Sequence, residues 1–145
     1  MILLRKFARL DSAERVLLVG AAFLVAAIRI VLWTMPWPRV LRLLHCRSFA
    51  LVSLPFSRRL SVERLAWAVR VASRPIPSAT CLTQALALHH LLSCAGYPSR
   101  VQIGVAKDES GFRAHAWVES HGEAVLNAPT AAECYAPLVS WWGAR

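Results

Sequence analysis

Cys81 in ATCLTQALALHHLL and His115 in FRAHAWVE, 34 positions further on, are the two residue types that together perform covalent acyl transfer. Cys81 follows a proline-rich approach, SRPIPSAT, and opens an apolar helical period, so its sulfur belongs at a helix N-terminus. The unpaired backbone amides there act as a partial positive charge and favour a thiolate. His115, in a segment that alternates apolar and polar residues, supplies the base that holds the proton. A cysteine and a histidine alone are weak evidence, because most buried cysteines are small hydrophobes packed for volume.

A third residue strengthens the pair. Read as a strand, residues 112–119 turn Phe112, Ala114, Ala116 and Val118 toward a core and Arg113, His115, Trp117 and Glu119 to the opposite face. The following SHG reads as a three-residue hairpin loop with Gly122 left-handed, which pairs Glu119 with Glu123 and His115 with Asn127. In that register the Asn127 side-chain oxygen accepts the Nδ1–H of His115 and leaves Nε2 facing Cys81, a working Cys-His-Asn combination. A two-residue loop instead pairs Asn127 with Ala116 and sends its amide to the core face.

Gln84, about 60° around the helix from Cys81, turns its amide toward the same cleft as polar support or oxyanion donor. The backbone N–H of Cys81 is the stronger donor, being free if Thr80 is the N-cap. Trp117 shares the His115 face, where it either walls the cleft and holds a substrate side chain or packs as an ordinary aromatic.

The stretches CLTQALALHHLLSCAGYPSRVQIGV and FRAHAWVESHGEAVLN resemble the leader peptidase of lasso-peptide biosynthesis, the protease half of the B-type maturation protein. The resemblance covers about residues 60–140, and the arginine-rich apolar N-terminus is similar to that family as well. It implies a papain-related, transglutaminase-like fold, with Cys81 as nucleophile, His115 as general base and Asn127 where the family usually has aspartate. The implied substrate is a ribosomally made precursor whose leader peptide is removed. A small leader-recognition protein and a ring-closing lasso cyclase are the implied partners.

With 145 residues the chain fits one domain large enough to bury a core without metal or disulfide help. Cys46, Cys81, Cys94 and Cys134 lack paired metal spacing, and no cleavable secretory signal precedes them, which reads as a reduced, cytoplasmic setting. His45 beside Cys46, and His89 beside His90, point about 100° apart on a helix and read as structural or solvated rather than as a metal site. The chemistry demands no cofactor, and no nucleotide-binding P-loop motif is present.

Charge divides the chain. Residues 1–80 hold 13 of the 17 Lys and Arg but 3 of the 8 acids, a net +10, whereas residues 81–145 carry −1. The basic half suits an acidic leader peptide, an acidic partner or an anionic membrane surface. Nucleic acid is the weakest partner, since no recognition-helix or aromatic RNA-binding motif accompanies the charge.

The elements that must position these residues follow from periodicity. From Val16 to Ile28 every residue is apolar or glycine, and IVLW resumes after Arg29, nearly the length of a bilayer span. Arg15 and Arg29 share a narrow face with Val19, Ala22 and Ala26, which suits a helix packed on protein or lying at a membrane or partner surface; a true span stays open. A proline-broken connector follows, with one short helix, RVLRLLH. Val62, Leu65, Ala66, Val69 and Ala72 then form one buried helical stripe, with Arg64 and Arg70 off it.

In the Cys81 helix, Ala85, Leu88, Leu92 and Ala95 line the buried side, with Thr83 and His90 opposite and Gly96 ending it. Cys94 reads as core filler. Val101, Ile103 and Val105 alternate as a strand, the loop KDESG leads to the histidine strand, and the tail from Asn127 reads as irregular, with Trp141 and Trp142 sealing the core. The sum is an α+β fold, N-terminal helices followed by a small antiparallel sheet of at least three strands. It divides into a basic N-terminal region, 1–60, and a peptidase core, 61–145. Two rivals share these residues: an acyl transferase in which an amine resolves the thioester, and a non-enzymatic, membrane-associated scaffold in which Cys81 merely packs.

Overall fold

Three helices precede a four-stranded antiparallel sheet in the computed structural model, which describes residues 11–36, 38–40, 60–77, 79–108, 111–129 and 135–142. The first helix, α1 (Ser12–Thr34), starts in a capping box: Asp11 accepts from the first-turn amides, and the Asp11 N–H donates to Glu14 at 3.3 Å. It stops where Met35 turns extended ahead of Pro36. Leu17, Ala21, Leu24, Val25 and Ile28 recur at helical spacing and pack on the next two helices, so one face of the long apolar run is core. An ion pair between Glu14 and Arg64 fastens α1 to its neighbour, and the Arg64 guanidinium lies 4.9 Å from the Trp67 ring centre.

Helix α2 (Val62–Ser73) is capped by Ser61, whose hydroxyl accepts from the Arg64 N–H at 3.4 Å. Leu65, Ala66, Val69 and Ala72 are buried and Arg64 and Arg70 exposed, the stripe that periodicity predicts; Val62 is half-buried at its margin. Helix α3 (Cys81–Ala95) departs from the expectation of a single buried side. Thr83, placed opposite that side, is fully buried, as are Ala85, Leu86, Ala87, Leu88, Leu91 and Leu92. The reason is position: α1 and α2 pack on α3 from one direction and the sheet from the other. Thr83 tolerates this because its hydroxyl bonds that of Thr80 at 3.1 Å. Gly96, at φ 86°, ends the helix as expected, with the Tyr97 N–H donating to Leu92 O at 2.9 Å.

The sheet runs β3-β2-β1-β4, from β1 (Ser99–Asp108), β2 (Gly111–Ser120), β3 (Glu123–Leu126) and β4 (Ala136–Trp142). Val101 pairs with Val118 and Ile103 with Ala116, and these side chains meet the helical core. Arg100 pairs with Glu119, Gln102 with Trp117 and Gly104 with His115, so their side chains share the opposite face. Phe112 and Ala114, expected in the core, are exposed, Phe112 at 78%. Alternation sets their face correctly, but among the described residues the core ends at Ala116 and none covers the arm beyond it.

Strand β4, in the tail expected to be irregular, pairs with β1 and places Pro137 opposite Gly104 beside a bulge. Proline is accepted there because β4 is an edge strand. The expected helix RVLRLLH reaches the described residues only at 39–40, which are helical. Its remainder, His45, Cys46, Cys134, Glu109 and Ser110 of the KDESG loop and the side chains of Trp141 and Trp142 lie outside the described residues.

Candidate active site

Thr80 is the N-cap of α3, at φ −68° and ψ 165°, and its hydroxyl accepts from the Thr83 N–H at 3.4 Å. Cys81 is therefore the first helical residue, half-buried, with a free thiol. At this position a backbone N–H has no partner within its own helix and points out of the helix end. The Gln84 amide donates to Ala79 O at 3.2 Å, so it braces the segment leading into Cys81.

The hairpin carrying His115 opens on the alternative two-residue loop, not on the favoured three-residue loop. Its loop has two residues, His121 and Gly122, at φ 52° and 87°, and Ser120 pairs with Glu123. A bulge then shifts the ladder, pairing Val118 with Leu126, and β3 ends there. Asn127 leaves the ladder at φ 54°, a left-handed conformation that asparagine adopts more readily than most residues. Among the described residues, β2 before Val118 has a ladder partner only on its β1 side.

Asn127 turns into that open flank and meets both other residues. Its backbone carbonyl lies 2.7 Å from His115 Nε2, and its side-chain Nδ2 donates to the Cys81 carbonyl at 3.5 Å. The atoms differ from those the sequence suggested, namely a side-chain oxygen bonded to Nδ1. The bulge and the left-handed turn are the cause, because they present the main chain of residue 127 to the ring. A carbonyl oxygen only accepts, so Nε2 carries the proton and the neutral ring keeps its lone pair on Nδ1.

Two aromatic rings fix the imidazole. Trp117 stacks on it with centroids 6.2 Å apart and planes at 22°, and Tyr135 lies 5.3 Å away on a tilted plane. Gly104 makes room for both: a Cβ there would stand 2.8 Å from Tyr135 Cβ and 3.1 Å from the Trp117 ring. Trp117 is nearly buried and its indole N–H donates to Glu119 Oε1 at 2.9 Å. Arg100 holds the other carboxylate oxygen, with Nε 2.6 Å away. Burial pushes the Glu119 carboxyl up, but hydrogen bonds from Trp117, Arg100 and Gln102 and the Arg100 charge outweigh it and hold the group below the usual carboxylate range.

Gly104, Tyr135 and the Arg100–Glu119 pair were not singled out from sequence. A glycine inside an alternating strand is a signal of close approach, and Glu119 already shared the His115 face by alternation. Tyr135 offered no signal, because only the pairing of β4 with β1 brings it to the ring.

The transglutaminase-like superfamily is the family whose profile matches, over residues 22–140. No curated protein and no solved structure matches the chain.

Proposed function

Because the chain belongs to the transglutaminase-like superfamily, whose members are typically cysteine peptidases and acyl transferases, we propose that it is a cysteine peptidase that removes the leader from a precursor peptide in lasso-peptide maturation. The observation that carries this reading is Asn127, in contact with the Cys81 main chain through its amide and with the His115 ring through its carbonyl.

Those contacts support the following chemistry. His115 Nδ1 takes the thiol proton, and Cys81 Sγ attacks the scissile carbonyl carbon. The backbone N–H of Cys81 and the helix N-terminus stabilise the oxyanion of the tetrahedral intermediate. When the C–N bond breaks, the imidazolium returns its proton to the leaving amine, and water activated by the same ring hydrolyses the thioester. Asn127 O holds the ring throughout, and the Trp117 and Tyr135 rings wall the site. Among the described residues, β2 ahead of His115 has no ladder partner on that flank, which suits an extended peptide whose main chain adds there. Leader recognition is shared with a separate small protein, and a cyclase takes the released core peptide.

The test incubates the full chain with a candidate precursor, with and without the recognition protein, and reads products by mass spectrometry. A defined leader fragment that disappears with Cys81→Ala supports the reading, and a fragment unchanged in that variant removes it. Added amine separates the acyl-transfer rival: an amide adduct in place of the hydrolysed product assigns that activity instead.

A further inference from the structure

Helix α1 is apolar on two opposite faces, and among the described residues only one packs on other elements. Leu17, Leu18, Ala21, Leu24, Val25 and Ile28 are buried against α2 and α3. About half a turn away, Val16, Val19, Phe23, Ile30 and Trp33 stand exposed, Phe23 at 65% and Trp33 at 80%. At about 100° per residue they fall on one stripe, which runs about 26 Å along the axis. Exposed singly such residues are ordinary; five in one line form a patch that marks a contact surface.

Charge states what the surface faces. Arg15 and Arg29 border the stripe, and the residues just before the helix include Arg5, Lys6 and Arg9 with no acid among the first ten. From Met1 to Val62 the acids are Asp11 and Glu14, and both are engaged, Asp11 in the helix cap and Glu14 with Arg64. An apolar stripe bordered by arginines, with a tryptophan near one end, matches the boundary between anionic headgroups and acyl chains. We propose that α1 lies in the plane of an anionic membrane surface and seats the protein there through Val16, Val19, Phe23, Ile30 and Trp33.

The helix does not cross the bilayer. It is long and apolar enough by composition, but its inner face is sealed onto α2, which carries exposed Glu63 and Arg70. A span would drag those charges into hydrocarbon. This inference is independent of the peptidase reading.

The full chain is mixed with vesicles of phosphatidylcholine, with and without phosphatidylglycerol, and binding is read by flotation. Binding to the anionic vesicles that weakens with salt is expected, with an apparent affinity at least about tenfold lower for the double variant Phe23→Ser, Trp33→Ser. Both side chains are exposed, so an unchanged thermal melt checks that the variant folds. Leu138→Ser, an exposed apolar residue on β4, keeps wild-type binding. Equal binding by the double variant, equal binding to both vesicle types, no binding, or retention on the membrane through alkaline carbonate overturns the proposal. So does a dimer that the double variant abolishes without any lipid binding.

Discussion

Both described cysteines sit on α3, one at each end, and each has a histidine within its neighbourhood. At the C-terminal end Cys94 Sγ lies 3.6 Å from His90 Nε2, a contact that helical spacing of four residues produces by itself. At the N-terminal end Cys81 is joined to His115, on another element, only through a third residue that left its strand to reach both. The two ends also differ electrostatically, since the N-terminal amides favour an anion and the C-terminal carbonyls oppose one. A cysteine near a histidine is thus no signature by itself. What separates the ends is helix polarity and a partner whose placement required a bulge and a left-handed turn.

The largest expected contrast is in turnover. Cys81→Ala lowers the rate of precursor cleavage about 10⁴-fold or more, and His115→Ala about 10²- to 10⁴-fold, while Cys94→Ala and His90→Ala stay near wild type. Comparable losses at both ends would erase the distinction. Alkylation sharpens it next: iodoacetamide at neutral pH modifies Cys81 well before Cys94, as peptide mapping over time would register. Similar rates would mean that helix polarity does not govern these thiols.

Asn127 tests how the N-terminal end is assembled. Because the ring contact is to the main chain, Asn127→Gly and Asn127→Asp keep turnover within a few-fold. Asn127→Ala strains a positive φ by about 1–2 kcal/mol and lowers turnover about tenfold. If glycine is as poor as alanine, the side-chain amide rather than the carbonyl does the orienting.

The smallest effect concerns the support beneath Trp117. Glu119→Gln is less stable at neutral pH by about 1 kcal/mol, measured by urea unfolding. The native carboxyl is held below its unfolded value, so its stabilisation is present above the unfolded pKa and lost as pH falls through the native one. The two melting curves therefore converge in acid, and a gap that persists there would assign the loss to packing.

Much of this was legible from local chemistry. Thr80 before an apolar period set the start of α3, Gly96 its end, and the Leu65–Val69–Ala72 spacing the buried side of α2. The α+β order of helices then antiparallel sheet followed as well. Contacts decided by tertiary placement were not legible. Periodicity gives a helix one buried side, and α3 is enclosed on several because other elements surround it. Loop length alone fixed neither the β2–β3 register nor the atoms of Asn127, because the bulge at Val118 changes the count after the turn. β4 carries Pro137 and no clear alternation, so only its pairing reveals it, and with it Tyr135.

The enclosure of α3 bears on durability. A helix walled by two others and by a sheet has amides that reach deuterated solvent mainly when the whole domain opens. Cys81, the proposed nucleophile, rides on this enclosed element, so heat inactivation is expected to run little ahead of melting, and damage that spares the global fold leaves the thiol where it stands.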